Sequence, residues 1–206
     1  MMIKNIFWDF DGVIIDSMPI REFGFRRIFK DFNKEKVELL IDFHIENGGL
    51  SRFFKIRYFF TEILNQKITE KDVLIYANRF SNFMRVELTQ KDLLIKNSLD
   101  YIIANRFKNF HIVSGSEEKE LKFLCEELEI SSYFISIHGS PKRKEKIVEE
   151  IIEQNKYNVD QTILIGDSVN DFNAAKENKI KFYGFNNLNL EEVSDTYIYD
   201  FNNLKI

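Results

Sequence analysis

The stretch Ile3-Lys4-Asn5-Ile6-Phe7-Trp8-Asp9-Phe10-Asp11-Gly12-Val13 decides how the chain is read. An apolar run rich in β-formers ends on two carboxylates two positions apart, and then on a glycine. Along a strand, the period of two sends Asp9 and Asp11 to the same side. Gly12 lets the backbone turn sharply and bring its amides close to a bound group. Two acids this close repel each other, and a cation beside them relieves the repulsion. Standing alone, Asp-x-Asp-Gly is more often an ordinary turn, because acids start turns. Partners elsewhere in the chain decide between the two.

Beyond the turn the period changes from two to the helical one. Pro19 is placed to start a helix that carries Ile20, Phe23, Ile28, Phe29 and Phe32. A second amphipathic stretch runs near Val37 to Ile45 and stops at Glu46-Asn47-Gly48-Gly49. Ser51 caps a third helix with Phe53, Ile56, Phe60, Ile63 and Leu64, and Thr69 opens a fourth that ends about Val86. Residues 17–88 are thus expected to be all-helical, a block near the smallest size that folds around its own core.

The rest alternates. A helix is expected near Asp92 to Phe107, then a strand Phe110–Val113, a helix from about Glu117 to Leu128, and a strand Tyr133–Ile137. A charged helix from Lys144 to about Gln154 precedes the apolar strand Thr162–Ile165, followed by a helix Asn170–Glu177 and a strand Lys181–Phe185. Tyr197–Tyr199 is a candidate edge strand. Such alternation predicts an α/β protein, a parallel sheet with helices on both faces.

Composition sets bounds. The 206 residues are 44% hydrophobic and 30% charged, values of a globular protein with a full core. The net charge of −4, without a basic arm, argues against nucleic acid. No apolar run approaches ~20 residues, so no membrane span is expected, and no signal-peptide pattern opens the chain. The single cysteine, Cys125, reads as core filler in a reducing, cytoplasmic setting. Nothing in the sequence bears on oligomeric state.

In open α/β sheets, ligands bind at the carboxyl ends of the strands. The strand-end residues here are Asp9 and Asp11, Ser114, then Gly166-Asp167 with Asp171 four further on. The third strand leads into Gly139-Ser140-Pro141 and the cluster Lys142, Arg143, Lys144 and Lys146. The acids suit a hard divalent cation with oxygen ligands, Mg²⁺, and the hydroxyl and ammonium suit phosphoryl oxygens. His44, His111 and His138 lack metal-ligand spacing and read as packing or surface residues, with His138 a candidate pocket wall.

This set resembles the haloacid dehalogenase-like superfamily. Asp9-Phe10-Asp11-Gly12-Val13 is similar to its first motif, Ser114 to its second, and Gly166-Asp167-Ser168-Val169-Asn170-Asp171 to its fourth. The resemblance covers nearly the whole chain. It implies a Rossmann-like core, residues 1–16 and 89–206, with a helical cap, residues 17–88, inserted between the first and second motifs. It also implies Asp9 as nucleophile, Asp11 as general acid/base, and Mg²⁺ held by Asp9, Asp167 and Asp11, the last through its backbone carbonyl. Asp171 would orient that shell, while Ser114, Gly115 and Lys144 would bind phosphate. Lys144 is preferred to Lys142 as the motif lysine, because a lysine at a helix start is unfavourable unless an anion answers it. A solvated basic face is the other reading of Lys142, Arg143 and Lys146.

Some of these residues have plainer roles available. Ser114-Gly115-Ser116-Glu117 matches a capping box, so Ser114 or Ser116 could serve only the next helix. In the cap, Gly49, Arg52 and Lys55 are the candidates for substrate contact, against a plain helix–helix turn. The expected reaction is hydrolysis of a small phosphorylated metabolite, such as a sugar or polyol phosphate, through an aspartyl-phosphate. A phosphomutase or other phosphotransferase is the alternative. A dehalogenase, a phosphonatase using a Schiff-base lysine, a receiver-like signalling domain and a non-catalytic scaffold fit the motif set less well.

Overall fold

A computed structural model describes residues 2–204 and 206. The opening run forms strand β1, Asn5–Trp8, buried along its whole length. Four helices follow: α1 Met18–Ile28, α2 Lys34–Glu46, α3 Arg52–Tyr58 and α4 Glu70–Glu87. Pro19 lies in the first turn of α1, where its missing N–H would be unpaired anyway. The side chains of Ser51 and Thr69 accept from the amides of Phe54 and Asp72 and so cap α3 and α4. The third helix is not continuous as expected. It widens into a π-helical turn, Phe59–Ile63, that buries both Phe59 and Phe60 against Phe29.

The remaining elements are α5 Lys96–Ala104, β2 Asn109–Glu117, α6 Glu118–Glu127, β3 Ser136–Ser140, α7 Lys144–Asn155, β4 Thr162–Gly166, α8 Val169–Glu177, β5 Lys181–Phe185 and β6 Thr196–Ile198. The six strands form one sheet in the order β3-β2-β1-β4-β5-β6, every neighbouring pair parallel. Trp8 pairs in register with Ile112 on one side and Ile165 on the other. Asp9 and Asp167, just past β1 and β4, and Ser114 of β2 therefore lie along one edge of the sheet.

Two expectations shift. The third strand begins at Ser136, not Tyr133, because Ser131–Tyr133 closes a 3-10 turn and Ile135 stays exposed. Pairing with β2 makes a strand of Ser136–Ser140, a segment in which Ile137 is the one strong β-former. The helix expected from Asp92 to Phe107 splits into a 3-10 turn, Lys91–Leu93, and α5.

Alternate residues of the central strands feed two apolar layers. Ile6, Trp8, Ile163 and Ile165 join a cluster that continues into Phe25, Phe29, Phe59 and Phe80 of the helical block. Phe7 and Leu164 face the other way, onto Ile147, Val148 and Ile151 of α7 and Ala174 and Ala175 of α8. Among the described residues no helix is long and apolar enough to cross a membrane.

Candidate active site

The carboxyl edge of β1 and β4 gathers three acids. One carboxylate oxygen each of Asp9, Asp167 and Asp171 lie within 4.8 Å of one another. Lys144, at the first position of α7 and 3% exposed, donates to Asp9 at 2.8 Å and also to Asp171. Asp171 accepts in addition from the Ser168 amide and hydroxyl, at 3.1 and 2.5 Å, and so caps α8. Gly12 makes the close packing of this edge possible. Its φ is +76°, and a Cβ there would lie 2.0 Å from Oδ2 of Asp167.

The charge balance of this edge is unfinished. Burial, and then the charge of Asp171, push Asp9 up to about 7 despite Lys144. Burial and the charge of Asp9 push Asp167 well above the usual carboxylate range. Three acids share one ammonium, and the Asp167 carboxylate has no ion-pair partner among the described residues. An all-oxygen donor set short of positive charge fits a hard divalent cation such as Mg²⁺. The Asp11 carboxylate does not join the three, so Asp11 would contribute through its backbone carbonyl only.

This arrangement sets a pH-dependent expectation. Groups raised on folding bind more protons in the native state, so without metal, stability falls as pH rises from the ordinary 3.8 through about 7. A cation that binds only the native carboxylates offsets that loss. Millimolar Mg²⁺ should therefore raise the thermal midpoint, and by more at about pH 8 than at about pH 5. Equal shifts at both values, or none, would remove these acids as a cation site.

Asp11 turns instead toward the helical block. It accepts from Ser17 Oγ and Arg21 Nε, both at 2.5 Å, and from Ser116 Oγ at 2.6 Å. Burial alone would raise it, but Arg21, Ser116 and Ser17 hold it below its ordinary range. Arg21 Nη1 also reaches Glu120 at 3.3 Å. Glu120, on α6 and wholly buried, accepts from both ends of the Arg52 guanidinium, at 2.6 Å from Nη2. Arg52 Nη1 further donates to Ser81 at 2.7 Å. Thus Asp11 and Glu120, on the sheet side, clamp two arginines of the helical block.

The two sides enclose a cavity with about 440 Å³ of atom-free space, its open mouth included. One wall is Asp9, Asp11, Ser114, Gly115, Ser116 and Asp167; the other includes Gly49, Arg52 and Lys55. The turn Asn47–Ser51 is pinned against the sheet edge. Asn170 Nδ2 donates to the Gly49 carbonyl at 3.0 Å, and a Cβ on Gly115 would lie 2.3 Å from that same oxygen.

Of the site residues expected from the sequence, Asp9, Asp11, Ser114, Gly115 and Asp167 line the cavity with Gly49, Arg52 and Lys55, Lys144 and Asp171 stand behind Asp9, and the outer basic residues lie apart. Lys142 pairs with Glu150 on the surface, Arg143 with Glu145, and Lys146 with Glu149. The capping box is overturned: Glu117 caps α6, because β2 runs on to that residue and holds Ser114 in the strand. Ser114 accepts from the Ser116 amide at 3.1 Å. His44 is neither plain packing nor surface but a cavity wall, while His138 bonds Ser136 away from it. Sequence reading missed Ser17, Arg21, Ser116, Glu120 and His44. Arg21 shares a helix face with Phe25, His44 with Leu40, and Glu120 with Leu124, so a polar residue at an apolar position was the available signal.

The sequence matches the profile of the haloacid dehalogenase-like hydrolase family over residues 6–185. The chain belongs to that family of hydrolases. No curated protein matches the sequence. Among solved structures, the chain is similar to a β-phosphoglucomutase from Clostridium difficile, with a TM-score of 0.80 and 18% identity over 100% of this chain and 94% of that one. It is also similar to CbbY from Rhodobacter sphaeroides in complex with phosphate, with a TM-score of 0.76 and 15% identity, covering 98% and 96% of the two chains. A predicted phosphoglycolate phosphatase from Haemophilus somnus gives 0.74 and 16% over 98% and 96%. At these identities the likeness is one of fold.

Proposed function

We propose that the protein is a Mg²⁺-dependent phosphatase that hydrolyses a small phosphorylated metabolite through an aspartyl-phosphate on Asp9. The observation that carries this reading is the meeting of Asp9, Lys144 and two further carboxylates at one strand edge, opening into a cavity walled by Asp11 and Ser114. Family membership makes it a hydrolase. The solved relatives include one bound to phosphate and one described as a phosphatase, which supports phosphomonoesters as the substrate class.

In this reading Asp9 attacks phosphorus in line, and the alcohol leaves. Lys144 holds the Asp9 carboxylate in place, and Ser114 and the amide of Gly115 receive phosphoryl oxygens. Asp9, Asp167 and the Asp11 carbonyl would hold Mg²⁺, with Asp171 beside them, and the ion supplies positive charge between the carboxylate and the phosphoryl group. Asp11, ionised and held by Arg21, is suited to take the proton of the water that cleaves the intermediate. To protonate the leaving oxygen it must first gain a proton, which loosens the hold of Arg21. The helical block acts as the cap that excludes water and selects the substrate.

The phosphotransferase alternative has one observation in its favour. While Arg21, Ser17 and Ser116 occupy Asp11, they keep the base from water, which would preserve the intermediate for a second hydroxyl. A panel of phosphomonoesters with Mg²⁺ separates the two. A phosphatase releases one inorganic phosphate per ester consumed and stops with EDTA. Isomerised ester without phosphate release would favour transfer, and activity indifferent to EDTA would contradict both.

A further inference from the structure

The loop after β5 reaches back over the carboxyl edge of the sheet. β5 pairs in parallel with β4, Gly184 opposite Gly166, so Asn186 and Asn187 emerge beside Asp167. In an extended chain, successive side chains point to opposite sides. Asn186 has a φ of +55°, and this left-handed residue breaks the alternation and brings both side-chain amides to one edge. Asn186 Nδ2 donates to the Gly12 carbonyl at 3.0 Å, and Asn187 Nδ2 donates to the Asp167 carbonyl at 2.8 Å. One loop thus ties the segments that follow β1 and β4.

Those two segments have little else to join them. The Asp9 amide donates to the Ile165 carbonyl at 2.9 Å, and beyond it no backbone hydrogen bond links the Asp11-Gly12 turn to Asp167 among the described residues. The Gly12 N–H shares a peptide plane with the Asp11 carbonyl and donates to Ile15 at 2.8 Å, while Asn186 holds the next plane. The Ser168 N–H shares a plane with the Asp167 carbonyl and donates to Asp171 at 3.1 Å, while Asn187 holds the other end of that plane. A turn by itself does not ask for these amides. Asn187 Oδ1 accepts from the Asn189 amide at 3.2 Å and opens the short turn Leu188–Leu190, which leaves its Nδ2 for Asp167. At position 186, glycine would take the left-handed backbone at less cost, so it is the bond to Gly12 that uses the side chain.

We propose that Asn186 and Asn187 are positioning residues that set the spacing between the Asp11 carbonyl and the Asp167 carboxylate, and with it the affinity of the site for a divalent cation. The inference rests on the cation site of the phosphatase reading and extends it to a loop that supplies no ligand. Neither residue lines the cavity, so both act through the carbonyls they hold. Groups that orient the ligands of a metal change its affinity without touching it.

Mn²⁺, which takes the same oxygen donors, tests this without turnover. Its binding is followed through the paramagnetic resonance signal of the free ion, in the wild type and in single variants. The wild type should hold one strong Mn²⁺ that Asp167→Asn loses. Asn186→Gly and Asn187→Ser should each weaken that binding by about fivefold or more, the worth of one hydrogen bond. Glycine suits the backbone at 186, and serine keeps a turn-forming oxygen at 187, so metal-free thermal midpoints should stay within about 4 °C of wild type. Asn109, whose amide bonds Asn5 at 2.8 Å at the far end of β2, is the control, and Asn109→Ser should bind Mn²⁺ as the wild type does. An affinity unchanged in either loop variant, weakened as much in Asn109→Ser, or lost only along with the metal-free fold, would overturn the inference. A wild type without strong Mn²⁺, or one whose Mn²⁺ survives Asp167→Asn, would remove the cation site and the inference with it. If Mn²⁺ binds as expected and no ester releases phosphate, the phosphatase reading alone fails.

Discussion

Asp9→Asn should lower kcat by at least about three orders of magnitude, because the amide cannot form the covalent intermediate. The fold should not suffer. Burial and Asp171 push Asp9 up to about 7, so at neutral pH its ionised form is held against its preference. Asparagine removes that charge and keeps the shape, and Lys144 retains Asp171. The metal-free thermal midpoint of Asp9→Asn should therefore equal or exceed that of the wild type. Steady-state rates and thermal melts on the same preparation check both halves. Turnover within about tenfold of wild type would exclude Asp9 as nucleophile.

Glu120→Ala should have the largest effect on stability. Glu120 is wholly buried and joins α6 of the sheet side to Arg52 and Arg21 of the cap. Burial would raise its carboxyl, but Arg52, by charge and hydrogen bond, and Arg21 hold it below the usual range. Removing it leaves two buried guanidiniums with Asp11 as their one carboxylate. Breaking one side of a buried ion pair costs about 3–5 kcal/mol. By contrast, Glu118→Ala breaks a well-exposed pair with Lys122, worth about 0–1 kcal/mol, and one hydrogen bond from the Gly139 amide, worth about 1 kcal/mol. Urea unfolding of both variants makes the comparison, and a loss for Glu120→Ala no larger than that for Glu118→Ala would deny the clamp between cap and sheet.

The sheet was legible in the sequence where burial alone makes the strand. Ile163–Ile165 and Ile6–Trp8 are apolar throughout because both faces of a central parallel strand are covered. The third strand was legible only in part: expected at Tyr133–Ile137, it lies at Ser136–Ser140, because its last residues owe their conformation to β2 beside them. The strand-end acids were legible because the edge of an α/β sheet is a predictable meeting place. Where the Asp11 side chain goes was not. A period of two places it beside Asp9, but the turn at Gly12 and Arg21 of α1 carry it toward the cap. Glu120 lay hidden in Glu117-Glu118-Lys119-Glu120, a run that reads as a solvated face until the arginines of another element meet it. Lys55 Nζ and His44 Nδ1, 2.6 Å apart in the cap, were equally silent as a pair, since eleven residues and a helix–helix turn separate them.

The central claim is that phosphorus bonds to Asp9. Protein quenched during turnover of the best ester and reduced with borohydride, which converts an acyl phosphate to an alcohol, can be mapped by peptide mass spectrometry. The reduced side chain should appear at position 9 only, and only when ester was present. Reduction at another acid, or an unmodified Asp9 under conditions of full turnover, would contradict the account.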